Sequence, residues 1–275
     1  MKLHFIIIAF IIGTLGFAQK KEKIKGSKFI KVKQHDVSAF NALKLNDRFE
    51  VFLLEGNNPS IEIEADDNLH DVIDFHVNHQ GVLSFDSSHQ IASKKKLNIR
   101  ITVTNQFNSI IITDKAIVNT LIDLDLKTLN VTVKDQGKFY ATLKTKEFSL
   151  TAEKNTKTEL NLNTTNSTII LSESADIKAL ISANNLNIDL YQKANAKIEG
   201  DVDMLQLRID NAANYNGEKL TANTATVIAE GSSDCDIEVK EKLTLEASGS
   251  SKINIYNSPK IDLIRFEDSA AIYKK

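Results

Sequence analysis

From about residue 108 onward the sequence repeats one short pattern every 19 residues or so, and that self-similarity constrains the fold more than any motif does. One position of the repeat reads Val118, Phe139, Thr158, Ile177, Ala196, Tyr215, Cys235, Ile253 and Ile272, with steps of 21, 19, 19, 19, 19, 20, 18 and 19 residues. Six residues before each lies the end of an alternating apolar run, such as Val131-x-Val133, Ile169-x-Leu171, Ile188-x-Leu190 and Leu245-x-Ala247. Alternation of period two is the mark of a half-buried strand, so each unit is expected to be two short strands joined by a turn. A unit this small cannot bury its apolar row alone. Neighbouring units must stack into a solenoid.

The turn segments identify the kind of solenoid. They read Asp135-Gln136-Gly137, Asn155-Thr156, Asn211-Ala212-Ala213, Gly231-Ser232-Ser233 and Gly249-Ser250-Ser251, all small or polar turn formers. The return segments also alternate, as in Cys235-x-Ile237-x-Val239, which a leucine-rich repeat would not do. The expected fold is therefore an all-β, right-handed parallel β-helix, right-handed winding being the strong default for parallel crossovers. Eight or nine coils at ~4.8 Å per rung give a rod roughly 40 Å long.

The N-terminal part is built differently. Lys2, an apolar core from Phe5 to Ile12 and the small-x-small site Gly16-Phe17-Ala18 predict a signal peptide over 1–18, with the mature chain starting at Gln19. The apolar run is too short to span a bilayer. Residues 19–28 form a basic linker. Strands are expected at Phe29, Phe49-Glu-Val-Phe-Leu-Leu, Ile61-Glu-Ile-Glu-Ala, Val82-Leu-Ser-Phe and Lys96 to Val103, with a helical turn between Asp67 and Phe75 capped by Asp66 or Asp67. Residues 29–107 are thus an N-terminal β-rich cap on the rod of 108–275, shielding its first coil from edge-to-edge association. At the other end, the coil finishing at Ile272-Tyr273-Lys274-Lys275 shows no capping helix, so it should expose strand edges and apolar surface and offers a route to a homo-oligomer.

These residues also carry a family resemblance. The string from Phe40 through Leu43-Lys-Leu-Asn-Asp-Arg-Phe-Glu-Val to Gly56, then Ile61 to Leu69, Gly81-Val-Leu-Ser-Phe85, Leu97 to Val103 and the Gly-Ser-Ser turns at 231 and 249 resemble the putative auto-transporter adhesin head GIN domain family. The resemblance covers nearly the whole mature length and implies an exported β-helical envelope protein with no established activity. Asn105 stands where the family often has Pro, and Thr113-Asp114-Lys115 replaces its first Gly-Ser-Gly turn.

Composition excludes several classes. Acidic and basic residues nearly balance at 36 against 34, which leaves no nucleic-acid footprint. Trp is absent and Pro occurs only at Pro59 and Pro259, so the chain lacks both the aromatic platforms of many carbohydrate binders and a collagen-like composition. Cys235 is the only cysteine; no intramolecular disulfide and no lipidation Cys after the leader can exist.

The sequence carries few residues arranged for chemistry. The outward column Thr132, Thr151, Ile170, Asp189, Arg208, Ile228, Glu246 and Arg265 sets Asp189 beside Arg208 and Glu246 beside Arg265, and Lys134 stands over Glu153. Repeated pairs of this kind read as cross-rung ion pairs on a solvated sheet rather than as an acid-base site. His70, His76 and His79 lie close in sequence without metal-ligand spacing, and Cys235 falls at an inward position. No nucleophile with an oriented base and no phosphate loop is present. Glu199, Glu218 and Glu238, with Asp234 and Asp236 beside them, are expected to stack their carboxylates; a solvated acidic face balanced by Lys197 and Lys219 and a weak calcium site are the two readings. No other cofactor is indicated.

The remaining readings differ in what the rod presents. The uncharged column Asn130, Ser149, Thr168, Asn187, Gln206, Thr226 and Thr244 suits a non-catalytic periplasmic, outer-membrane-peripheral or extracellular protein that offers a polar face to a glycan or a protein partner. A glycan-degrading β-helix enzyme would need insertions in one turn series to build a cleft, against the near-constant step. A structural periplasmic protein without a ligand is the third reading.

Overall fold

The computed structural model describes residues 21–275; the expected leader lies outside them. The repeat is a parallel β-solenoid. Strand Lys157–Leu171 pairs in parallel with Lys138–Ala152 on one side and Asp176–Leu190 on the other, so that Phe139, Thr158 and Ile177 share one register position. A straight strand of that length would run roughly 50 Å. It bends instead, and its burial pattern shows where: Thr158, Leu160, Leu162 and Thr164 point inward, Thr165 and Asn166 both lie outside, and Ser167, Ile169 and Leu171 are buried again. Each coil from Lys138 to Ala247 therefore has the expected tight turn and one bend inside a continuous strand, where the sequence suggested separate short strands; the coils before and after it keep two strands. In the early coils threonines serve that bend. Thr145 Oγ1 donates to Thr164 Oγ1 at 2.9 Å, and Thr164 Oγ1 lies 3.1 Å from the carbonyl oxygen of Asn166.

The tight turn repeats with one backbone conformation. Asp114, Asp135, Lys154, Glu173, Gln192, Asn211, Gly231, Gly249 and Asp268 all have φ between 57° and 70°. A side chain in that region costs roughly 1–2 kcal/mol. The stack offsets the cost by tying each turn to the one before it: Gln136 N donates to Asp114 O at 2.8 Å, and Asn155 N donates to Asp135 O at 2.9 Å. Two residues after most of these positions a small side chain enters the core, as at Ala116, Thr156, Ala175, Ala194, Ala213, Ser233 and Ser251.

Packing within the core compensates large residues with small ones. Tyr215 is 2% exposed in the column between Ala196 and Cys235, and its ring fills the space beside Gly217, where a Cβ would come within 2.5 Å of it. The file expected to be internal, Val133, Ala152, Leu171, Leu190, Ile209, Ala229 and Ala247, is buried throughout; its last member, Phe266, is open at 48%.

The ladder runs across residue 108. Ala42–Leu45 pairs in parallel beneath Ser109–Ile112, and Glu50–Glu55 beneath Ile117–Thr120. Below these lie Val82–Ser87 and Leu97–Val103, again parallel, so the order of rungs in space differs from their order in sequence. Three antiparallel strands then close this end: Ser60–Asp66 on Leu97–Val103, Ile30–Asp36 on Ser60–Asp66, and Ile73–Val77 on Val82–Ser87. Leu69 and Val72 are buried there, and Phe75 packs on Phe85. The expected helical turn shrinks to a 3-10 turn at Asp67–Leu69. Asp66 occupies its N-cap position without a capping bond, because its buried Oδ2 instead accepts the Lys95 amide at 2.8 Å.

A polar sheet face and the candidate site

The pairing registers bring Asn130, Ser149, Thr168, Asn187, Gln206, Thr226 and Thr244 into one outward file, each opposite the next. Alternation places them there: their neighbours Leu150, Ile169, Ile188, Leu207 and Val227 fill the core, which turns every second side chain outward. The adjacent file adds an amide ladder. Asn166 Nδ2 donates to Glu147 Oε1 at 2.8 Å, and Asn185 Nδ2 donates to Asn166 Oδ1 at 2.7 Å. Such a face holds ordered donors and acceptors at the rung spacing with little net charge.

The third file on this sheet carries the charges. Asp189 and Arg208 are register neighbours as the sequence indicates, yet Arg208 turns to Glu230, with Nη2 donating to Oε2 at 3.2 Å. Arg265 reaches the same carboxylate from the far side at 2.8 Å and contacts Glu246 at 3.4 Å. Glu230 thus bridges two guanidiniums. Arg265, aided by Arg208, holds its carboxyl below the usual carboxylate range. Lys134 and Glu153 pair at 3.1 Å. Arg208, Glu230, Arg265 and Glu246 form one network and Lys134 and Glu153 a separate pair, which is the geometry of surface ion pairing.

The acidic file does not form as the sequence indicated. Glu199 lies opposite Lys219 and Glu238 opposite Thr221, because the strand Asn214–Ala229 carries extra residues between Asn216 and Thr221. Glu218 falls in that irregular stretch and has no register partner. Asp234 and Asp236 flank Cys235 on the following strand, where Asp236 Oδ1 accepts from Asn254 Nδ2 at 2.7 Å and Glu238 Oε2 accepts from Thr221 Oγ1 at 3.3 Å. Lys197 meets Glu199 at 3.6 Å. Among the described residues no group of three or more His, Cys, Asp or Glu side chains is placed to hold a metal ion. The bulge, invisible as a position in the sequence, separates the carboxylates.

The other single residues have local roles. Cys235 is 1% exposed, and burial, reinforced by Asp236 and Asp234, pushes its thiol well above the ordinary range, so it is an inert core residue. His70 Nε2 lies 3.1 Å from the Lys31 carbonyl oxygen, and His76 Nε2 lies 3.3 Å from Ser84 Oγ. Two depressions lie away from the polar face. One, of 570 Å³, crosses the outer side of the other sheet by Tyr140, Asn161, Lys178 and Leu180. The second, of 530 Å³, lies under Gln90–Ser93 and is lined by Arg48, Phe49, Ser87, His89 and Ile91. At the second, Ser88 Oγ lies 3.0 Å from Nδ1 of the adjacent His89, an exposed contact between sequence neighbours.

Known proteins share this architecture. A family described as "Putative auto-transporter adhesin, head GIN domain" matches residues 39–259. A crystal structure of a putative adhesin from Parabacteroides merdae superposes with a TM-score of 0.65 at 14% identity, covering 92% of this chain and 99% of that one. A second putative adhesin, from Parabacteroides distasonis, gives 0.64 at 14% identity over 92% and 100%. A putative lipid binding protein from Parabacteroides distasonis gives 0.54 at 13% identity over 92% and 97%. At such identities the likeness concerns the fold. No curated protein matches this chain.

Proposed function

Given that the chain belongs to the auto-transporter adhesin head GIN domain family, we propose that it is an exported, non-catalytic protein of the cell envelope or surface whose polar sheet face binds a glycan. The observation that carries this reading is the uncharged file from Asn130 to Thr244, held in register along the rod. Short amides and hydroxyls at a constant repeat suit a polymer whose own hydroxyls recur along its length. Each contact is a neutral hydrogen bond worth about 0.5–1.5 kcal/mol net, so recognition is spread over many rungs instead of concentrated in a pocket. No described helix is long and apolar enough to cross a membrane. The predicted leader supports export.

The test is a glycan array together with capture from envelope extract. Wild-type chain should retain a defined set of glycans. The pair Asn187→Lys and Gln206→Lys changes two exposed residues without touching the core, and should weaken retention at least about tenfold, roughly 1.4 kcal/mol. Lys178→Glu on the opposite sheet should leave it unchanged. Retention that survives the first pair and is lost in the second would move the site to the groove beside Tyr140, and capture of a protein without any glycan would replace the ligand class.

A further inference from the structure

Among the described residues the rod is closed at one end and open at the other. At its N-terminal end Leu69, Val72 and Ile73 are buried beneath antiparallel strands. At its C-terminal end the internal files run out into solvent. Leu243, Leu245 and Ala247 are each 0% exposed, whereas their register mates on the next rung, Ile261, Leu263 and Phe266, are 44%, 48% and 48% exposed. Ile264, at the register irregularity of this strand, is 65% exposed. Among the described residues Lys260–Phe266 pairs only with Asp234–Ala247, and Ala271–Lys274 only with Lys252–Tyr256, so each keeps an open edge of backbone donors and acceptors.

We infer that this open rung is the docking surface for a second copy of the chain, joined tail to tail about a two-fold axis perpendicular to the rod. The charge pattern selects that arrangement. Lys260 begins the first strand and Glu267 and Asp268 follow it; Asp268 precedes the second strand and Lys274 and Lys275 end it. A two-fold sets each strand antiparallel to its own mate, bringing every basic end beside an acidic one and closing the interior files on each other. An isologous contact of this kind satisfies both open edges and stops at two copies. Head-to-tail stacking would set the edge strand Ile30–Asp36, with Lys31 and Lys33 at its middle, on the last rung, whose mid-strand acid Asp262 is already held by Lys242 at 2.9 Å. It would also propagate without end. The tail-to-tail contact lays the two polar faces end to end along one line.

Sedimentation velocity of the full chain between about 1 μM and about 500 μM tests the inference, the range in which a small interface titrates. A monomer-dimer equilibrium with no larger species is expected. Leu263→Arg, at a half-exposed position, should weaken it at least about tenfold. Lys260→Glu and Glu267→Lys should each weaken the dimer, and the double swap should restore it, which a nonspecific apolar contact would not do. Val32→Lys at the opposite end should have no effect. A strict monomer throughout the range, a dimer indifferent to Leu263→Arg, or an open-ended series abolished by Val32→Lys would overturn the inference.

Discussion

Ile188→Asp should destabilise the chain by about 4 kcal/mol or more, while Asn187→Asp next to it should shift stability by less than about 0.5 kcal/mol. Ile188 is 1% exposed and lies between Ile169 at 0% and Leu207 at 2% in the same internal file. No basic group belongs to that file, so the new carboxylate would be buried either charged and unpaired or protonated at a cost. Asn187 faces solvent on the polar face. The urea midpoints of the two variants separate the predicted register from one slipped by a residue, because a slip exchanges every inward and outward side chain. Equal losses for the two would contradict the register.

Gly200→Ala is expected to cost about 3 kcal/mol although it adds a single methyl group. Gly200 has φ +121°, a region that side chains avoid, and a Cβ there would fall 2.1 Å from the Ile181 carbonyl oxygen on the adjacent rung. Backbone cannot yield to it as a flexible side chain would, since Ile181 is itself paired in the ladder. The urea midpoint, with its slope, provides the check. A loss below about 0.5 kcal/mol, the range of an ordinary surface substitution, would show that the backbone at Gly200 is not built as described.

The sequence made the rod legible because its apolar positions repeat with steps close to 19 from Phe139 onward, and each such position is inward in the structure as far as Ile253. The first rung was harder to see. Leu43 and Ile110 are neighbours in space but 67 positions apart in sequence, because the chain builds the cap and the lowest rung between them. The clue was the turn Asn46-Asp47-Arg48, whose Asp47 at φ 61° adopts the same left-handed conformation as Asp114. Likewise Glu55 and Ser60 flank a tight connection, yet Leu97–Val103 lies between their strands, since a later strand can enter a sheet between two earlier ones.

The outward face was readable wherever the register stayed constant, as in the file from Asn130 to Thr244, and misread where it did not. The step of 20 from Tyr215 to Cys235 announced extra chain, but only the backbone shows that it is absorbed between Asn216 and Thr221, which separates Glu199, Glu218 and Glu238. Side-chain choices across rungs were also hidden. Arg208 can meet Asp189 or Glu230, and the second guanidinium at Arg265 makes Glu230 the common anchor.

Distances along the polar file report the register of the whole rod. Asn130 and Gln206 are four rungs apart and Asn130 and Thr244 six, so nitroxide pairs at these sites should be separated by about 19 Å and about 29 Å at the strand spacing. Cys235, buried with its thiol protonated, should stay unlabelled in the folded chain. Narrow distributions near those values, growing in proportion to the number of rungs, are the result that a parallel solenoid in this register predicts. Equal distances for the two pairs, or a longer one for the nearer pair, would contradict it.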